Sequence, residues 1–243
     1  MLSNTILFEK KAVRMVAHRG VSGLECENSG AAFVAAGNRS YYGIETDVHV
    51  TKDGKFVVIH DDRTGRVSDT DISVENSTYA QLCQVLLYSN VAKKLPGRRD
   101  LVIPTLSDYI RICKHYGKAA VLELKNRIQT EDIRRIIMQI RELEHLSQTI
   151  FISFSWENML DLRQLLPEQK LQFLTAHWDD SLPEKLQQHG LDLDILYTEL
   201  NPERIQLLHS RGIEVNCWTC DDVSAGEALA GAEIDYITSN ILE

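Results

Sequence analysis

Short apolar runs alternate with amphipathic segments along most of the chain, and this alternation constrains the fold more than any other feature. Eight runs have the length and composition of buried strands. They cover residues 13–17, 42–50, 118–124, 149–153, 171–175, 193–197, 213–218 and 234–238. Eight strands separated by helical patterns in 243 residues predict an α/β fold, a closed (β/α)8 TIM barrel. A doubly wound open sheet is the alternative.

The helical patterns between these runs have apolar residues at three- and four-residue spacing. The clearest predicted helix covers 131–146, and two others cover 156–166 and 202–212. The last should begin with Asn201 as its N-cap and Pro202 in its first turn, and Gly212 should end it.

The whole chain, 1–243, is predicted to be a single barrel domain, because no Pro-, Gly- or Ser-rich linker divides it. One irregular zone, residues 62–104, is predicted to be a small insertion on the side of the barrel that carries the active-site loops. It contains a short helical pattern near 78–88. Before it, Asp53-Gly54 predicts a hairpin turn, and 56–60 returns as an extra strand that ends in His60.

Charge and hydropathy exclude several classes of function. The formal net charge is -9, and no cluster of Lys and Arg is long enough for general nucleic-acid binding. No apolar stretch approaches the roughly 20 residues of a membrane helix, so we expect no stable membrane insertion. The N-terminus has no signal-peptide pattern. We therefore predict a complete cytoplasmic protein that acts on a small-molecule substrate, and its oligomeric state is left open.

The five cysteines are scattered and odd in number, so we expect no disulfide framework. Cys217 and Cys220 form a C-x-x-C pattern. Because no second pair and no helix start accompany it, we predict neither a zinc site nor a redox site there.

Three carboxylates in predicted strands point to a cation site. Glu45 and Asp47 are two residues apart, so both project from one face of the second strand. Like charges in a buried strand repel unless a cation neutralises them. Glu123 on the next barrel strand completes a set of oxygen ligands, which suits Mg²⁺ or Ca²⁺ better than zinc. His49 shares this face, as a further ligand or as a packed, hydrogen-bonded residue.

Two histidines and two cationic side chains follow the ends of the same strands. In a barrel, His18 and His60 would converge on one mouth and could serve as an acid–base pair near neutral pH. Arg19 and Lys125 add positive charge suited to a phosphate. Taken singly, each could be a solvated loop residue. Together with a metal they predict phosphodiester cleavage.

The motifs resemble those of the glycerophosphodiester phosphodiesterase family over residues 13–237. The matching segments are VAHRG, ECENS, GIETDVHVTKDGKFVVIHD, IPTLSD, LELK, FISFS and VNCWT. The resemblance implies a (β/α)8 barrel that hydrolyses deacylated phospholipids, such as glycerophosphocholine, to glycerol 3-phosphate and an alcohol. It also implies that the glycerol 2-hydroxyl attacks the phosphorus and that water then opens a cyclic phosphate.

The resemblance further implies roles for particular side chains. Glu45, Asp47 and Glu123 would bind one divalent cation, either Mg²⁺ or Ca²⁺. His18 and His60 would be the general acid and base, in an order that the sequence leaves open.

The same resemblance implies the substrate contacts. Arg19 and Lys125 would hold the phosphate, and Trp218 would line the glycerol or leaving-group side of the pocket. Asn28 would be a supporting polar group near the mouth, or alternatively the N-cap of a helix that starts at residue 29.

One segment departs from the family pattern. The family usually closes its last strand with Thr-Asp, whereas here Thr238 is followed by Ser239-Asn240. The implied chemistry needs no residue there, so we expect activity to survive.

Two other functions remain: a phospholipase D-type barrel that acts on lysolipids, and an inactive barrel used as a binding module. The mostly polar 62–104 insertion disfavours the first, and the complete set of carboxylates and histidines disfavours the second.

Overall fold

The computed structural model describes residues 4–88 and 98–243, and the strands in this part of the chain form one sheet. They are β1 (Arg14–Ala17), β2 (Gly43–Val50), β3 (Phe56–Val58), β4 (Ala119–Leu124), β5 (Thr149–Ser153), β6 (Leu171–Thr175), β7 (Asp192–Leu196), β8 (Val215–Trp218) and β9 (Tyr236–Ser239). The eight predicted barrel strands are all present, and the short run after the Asp53-Gly54 turn forms β3.

The sheet closes on itself as a parallel barrel. The strand order is β1-β9-β8-β7-β6-β5-β4-β2, and β1 also pairs with β2, Val16 opposite Gly43. β3 pairs antiparallel with β2, Val48 opposite Val58, and lies outside the ring. The predicted (β/α)8 barrel is therefore confirmed and the open-sheet alternative is wrong. The carboxyl ends of eight strands meet at one mouth.

Helices connect the strands around the outside of the barrel. They are α1 (Gly30–Gly37), α2 (Tyr79–Leu82), α3 (Leu106–Tyr116), α4 (Thr130–Glu142), α5 (Trp156–Leu165), α6 (Leu182–His189), α7 (Pro202–Ser210) and α8 (Val223–Gly231). Asn201 caps α7 as predicted, since its side chain accepts the N–H of Arg204. α4 ends four residues before its predicted end at 146, where Glu144 adopts a left-handed backbone with φ 55°.

The described part of the predicted insertion, 62–88 and 98–104, packs on β3 through a small apolar core of its own. That core includes Val57, Ile59, Val67, Val74, Leu82, Leu101 and Ile103. Thr78 caps α2 with a reciprocal side-chain pair to Gln81, as in a capping box. The segment 89–97 of the prediction lies outside the described residues.

The barrel interior contains an apolar cluster and a bonded group of buried polar side chains, Gln172, Asn216 and Thr238, and it is charged at the mouth. A cluster of Val16, Val121, Ile150, Ile152, Leu174 and Tyr236 fills its centre. Helices pack against the outer faces of the strands and form the larger core. Among the described residues, no helix has the length and apolar character needed to cross a membrane. The fold thus presents a rigid ring whose polar end can hold a site.

Candidate active site

Three carboxylates converge at the barrel mouth as the strand parity predicts. Glu45 and Asp47 lie on β2 and Glu123 lies on β4, with Asp47 directly opposite Glu123 in the strand register. One oxygen from each residue lies within 4.8 Å of the others. All three side chains are buried.

Burial and mutual repulsion set the protonation of this carboxylate cluster. Burial and the charge of Asp47 raise the pKa of Glu45 well above its usual range, and they raise the pKa of Glu123 to about 7. Burial alone would raise the pKa of Asp47, but Lys125 and Arg19 hold it below its usual range. Asp47 Oδ1 is buried without a hydrogen-bond donor in the described part of the chain. The cluster therefore lacks positive charge, which a divalent cation would supply.

The two predicted phosphate-binding cations border the carboxylates. Lys125 Nζ lies 2.8 Å from Glu123 Oε1 and 3.5 Å from Asp47 Oδ1. Arg19 Nε lies 3.8 Å from Asp47 Oδ2, and Arg19 Nη1 bonds Glu27 at 2.9 Å. Both cations are thus held next to the carboxylate cluster, where an anionic substrate would meet them.

A tight turn after β1 brings Arg19 to this position. Arg19 and Gly20 both have left-handed backbones, with φ of 52° and 74°. The turn lets the Arg19 N–H donate to Glu45 Oε2 at 2.8 Å. A Cβ on Gly20 would lie 2.7 Å from the Ala32 backbone, so glycine is required there. Backbone strain of this kind is common at functional sites.

His18 is held by Asn240, a residue for which the sequence predicted no role. Its Nδ1 lies 2.7 Å from Asn240 Oδ1, and its Nε2 lies 4.0 Å from Glu45 Oε2. The Asn240 amide nitrogen donates to Asp221 Oδ2, so its oxygen must face His18 and the Ser22 hydroxyl. His18 Nδ1 is therefore the protonated nitrogen of the neutral ring, and Nε2 is left with the lone pair. The only hint of this contact in the sequence is that Ser239-Asn240 follows Thr238, where the family usually has Asp.

His60 is held by a charged partner instead. Its Nδ1 donates to Asp61 Oδ1 at 2.5 Å, and Arg66 Nε bonds Asp61 Oδ2 at 2.6 Å. Arg66 also pairs with Glu27, which in turn binds Arg19. Asp61 directly follows His60 in the matching segment VVIHD, so the sequence already placed these two residues side by side. Nothing local marked Arg66, which reaches the site from the insertion.

Asn28 is the supporting polar group and not the helix cap. Its amide nitrogen donates to Asp47 Oδ2 at 2.7 Å, and its oxygen accepts from the Thr46 hydroxyl at 2.7 Å. Ser29 caps α1 instead, accepting the N–H of Ala32. Asn28 thereby fixes one oxygen of a buried carboxylate.

His49 does not join the carboxylates. Its Nδ1 lies 3.0 Å from Glu75 Oε1, and its Nε2 lies 3.3 Å from the His60 carbonyl oxygen. Both ring nitrogens are occupied and the side chain is fully buried. The packed, hydrogen-bonded alternative is therefore the correct one, and His49 supports the backbone at His60.

One cavity joins these groups to an apolar wall. It has a volume of about 50 Å³ and is lined by His18, Arg19, Glu45, His60, Glu123, Ile152, Phe154, Leu174, Asp194, Trp218 and Thr238. Trp218 and Phe154 meet edge to face, with ring centroids 5.6 Å apart. Trp218 thus lies in the pocket, as the sequence resemblance implied.

Comparisons with known proteins agree with this geometry. The model of the glycerophosphoryl diester phosphodiesterase family matches residues 18–241. A glycerophosphodiester phosphodiesterase of Caldanaerobacter subterraneus is 27% identical, over 93% of each chain. A mouse lysophospholipase D is 28% identical over 55% of this chain and 43% of its own. A phosphodiesterase of Oleispira antarctica, solved with the product sn-glycerol-3-phosphate, has a TM-score of 0.84 and 25% identity over 93% of this chain and 92% of its own.

Proposed function

The chain belongs to the glycerophosphoryl diester phosphodiesterase family, and from that premise we propose that it hydrolyses glycerophosphodiesters to glycerol 3-phosphate and an alcohol. Glycerophosphocholine and glycerophosphoethanolamine represent the substrate class. The observation that carries the proposal is the single cavity lined by His18, Arg19, Glu45, His60 and Glu123. It combines acid–base groups, a cation for a phosphate and a metal-ligand set in one place.

One divalent cation, Mg²⁺ or Ca²⁺, fits the carboxylate cluster of Glu45, Asp47 and Glu123. With all three carboxyl groups ionised, as they would be when they bind a cation, and with Arg19 and Lys125 protonated, the cluster carries one net negative charge. A divalent ion would turn this into one net positive charge, which suits a phosphodiester monoanion. When bound, the ion would neutralise charge that builds on the phosphoryl oxygens.

The side chains of the site support an intramolecular attack. Arg19 and Lys125 orient the phosphate by its oxygens. The glycerol 2-hydroxyl is then near the phosphorus of its own molecule, which gives the reaction the advantage of proximity. His18 accepts the hydroxyl proton at Nε2, because its Nδ1 donates to a neutral amide and the ring has no anionic partner on that side.

His60 donates a proton to the departing alkoxide. The Asp61 carboxylate at its Nδ1 stabilises the protonated ring. The P–O bond to the alcohol breaks as the bond to the 2-hydroxyl oxygen forms, and the product is a cyclic phosphate. In the second step, water attacks the phosphorus of the cyclic phosphate while His60 takes a proton from it. The P–O bond to the glycerol 2-oxygen breaks, and His18 returns its proton to that oxygen, which gives glycerol 3-phosphate.

A lysolipid substrate is the second candidate. Phe154 beside Trp218 is 47% exposed, and it offers apolar surface at the mouth that could contact an acyl chain. The predominantly polar insertion favours the deacylated substrates.

A product assay over a panel of diesters tests the proposal. We expect the metal-loaded protein to release glycerol 3-phosphate from glycerophosphocholine, with slower turnover of lysophosphatidylcholine. EDTA should abolish both reactions. His18→Ala should remove turnover while the circular dichroism spectrum stays unchanged. Robust turnover by His18→Ala, or none by the wild-type protein with either metal, would refute the proposal.

A further inference from the structure

Asp194 is a buried carboxyl group with no part in the chemistry above. It lies on β7 and is 1% exposed. Its Oδ1 has no hydrogen-bond partner in the part of the chain that the structure describes. Burying a polar group without a hydrogen-bond partner destabilises the folded state. Such groups are rare in folded proteins and call for an explanation.

The neighbouring polar side chains on the adjacent strands are already paired with each other. Asn216 lies directly opposite Asp194 in the β7–β8 register. Its amide nitrogen donates to Gln172 Oε1 at 3.1 Å, and its amide oxygen accepts from the Thr238 hydroxyl at 3.2 Å. Asp194 takes no part in these bonds, and Gln172 Nε2 also lacks an acceptor among the described residues.

Asp194 lines the same cavity as the carboxylate cluster, from the other side of the ring. β7 and β2 are four strands apart in either direction around the eight-stranded barrel. Asp194 therefore faces Glu45 and Asp47 across the mouth, and it shares the cavity wall with Leu174 and Trp218. A ligand anchored by its phosphate at the carboxylate cluster would extend toward Asp194.

A second unpaired polar atom lines this cavity. Trp218 Nε1 is buried and has no hydrogen-bond acceptor among the described residues. An indole N–H can only donate, whereas a carboxylate oxygen accepts. A hydroxyl group satisfies both, because it accepts one hydrogen bond and donates another. An ammonium group has no lone pair to offer to Trp218 Nε1, so it would satisfy only Asp194.

We propose that Asp194 and Trp218 form a subsite for the terminal hydroxyl of the substrate's glycerol moiety. This inference rests on the proposed function, which supplies a glycerol unit. The 2-hydroxyl lies beside the phosphorus as the nucleophile. The remaining hydroxyl is at the far end of the glycerol, where the chain of atoms leads away from the phosphate. Asp194 then acts as a specificity-determining residue that selects glycerol over a deoxygenated analogue.

Binding of two phosphates that differ only in this hydroxyl tests the subsite. The ligands are sn-glycerol 3-phosphate and propane-1,2-diol 1-phosphate, titrated by calorimetry into the protein with Mg²⁺ or Ca²⁺. We expect the wild-type protein to bind glycerol 3-phosphate about tenfold more tightly, because the propanediol phosphate leaves the buried Asp194 and Trp218 polar atoms unpaired. Asp194→Leu should lose most of this preference, with unchanged affinity for the propanediol phosphate, because only the Trp218 N–H is left to bond the hydroxyl.

Asp194→Asn is the matched control, because it keeps an acceptor oxygen in the same place. It should retain part of the discrimination. A residue with only a structural role would change both affinities together. Equal binding of the two ligands by the wild-type protein, no binding of glycerol 3-phosphate, or full discrimination by Asp194→Leu would each overturn the subsite.

Turnover assays separate this inference from the proposed reaction. If the protein discriminates the two ligands in binding but hydrolyses no glycerophosphodiester, the subsite stands and the proposed reaction fails. If it hydrolyses glycerophosphocholine but binds both ligands equally, the reaction stands and the subsite fails.

Discussion

At the scale of single residues, the two histidines differ in what holds their Nδ1 atoms. His18 donates to the neutral amide of Asn240, and His60 donates to the Asp61 carboxylate. Burial and the nearby charge of Arg19 lower the pKa of His18 to about 4, so its ring is neutral at pH 7. Burial also lowers the pKa of His60, but the charges of Asp47 and Asp61 oppose this effect, so His60 is the better suited of the two rings to carry a proton. These environments support different roles for the two rings.

A substrate with a good leaving group distinguishes the two roles. We expect His60→Ala to lose about 10²–10⁴-fold in turnover of glycerophosphocholine, the usual contribution of a general acid. With the glycerol 3-phosphate ester of 4-nitrophenol, it should lose far less, because nitrophenolate departs without a proton. His18→Ala should lose activity on both substrates to the same extent. If the nitrophenyl substrate restores the activity of His18→Ala and not that of His60→Ala, then His18 is the general acid and His60 is the general base.

At the scale of elements, β7 begins at the barrel base with a second acid, the partly buried Asp192. The Asp192 Oδ1 accepts the N–H of Glu214 on the neighbouring chain segment at 2.8 Å. Burial raises the pKa of Asp192 to about 6, and the charge of Glu214 adds to this effect. The folded state therefore binds this proton more tightly than the unfolded state, where the pKa of an aspartate is about 3.9. Stability from this group is lost as the pH rises from about 4 to 6.

Asp192→Asn removes this pH dependence and keeps an acceptor oxygen for Glu214. We expect the variant to exceed the wild-type free energy of unfolding by about 1–2 kcal/mol at pH 8, and to match it at pH 4. Urea unfolding at a series of pH values measures the difference, which should grow between pH 4 and 6. A variant less stable than wild type at pH 8, or a difference independent of pH, would show that the charge of Asp192 is compensated in the fold.

At the scale of the whole molecule, the barrel holds like charges together against their repulsion. Packing of the barrel strands brings Glu45, Asp47 and Glu123 together, although three buried carboxyl groups at this distance destabilise the folded state. A cation that binds only the folded protein would relieve this repulsion and stabilise the barrel through mass action. Metal binding and thermal stability are therefore expected to change together.

Thermal unfolding with and without a metal measures this coupling. At a metal concentration of 100 times Kd, we expect about 2.7 kcal/mol of stabilisation, which raises Tm by about 5–10 °C for a chain of this size. Glu45→Gln should raise the Tm of the EDTA-treated protein, because it removes a buried carboxyl group whose raised pKa opposes folding at neutral pH. It should also remove most of the shift caused by metal. A wild-type Tm that neither Mg²⁺ nor Ca²⁺ changes would contradict a cation site in this cluster.

The fold and the carboxylate cluster could be predicted because they depend on short-range patterns. The period of two in a strand puts Glu45 and Asp47 on one face, and alternation of strands with helices predicts a closed barrel. The ends of helices were less predictable. α4 stops at Glu142, where a left-handed residue soon after reverses the chain, and local spacing did not reveal that.

The sequence by itself determined the order of strands, the inward face of each and the residue types at the mouth, since these follow from local periodicity. Only the tertiary structure decided which groups meet across the ring. Asn240 reaches His18 from 222 residues away, because closure of the barrel pairs β9 with β1. Asp194 draws attention only because its buried Oδ1 has no partner in the described structure, as is also true of Asp47 Oδ1 in the carboxylate cluster. Contacts between distant segments depend on ring closure and packing, which local spacing does not encode.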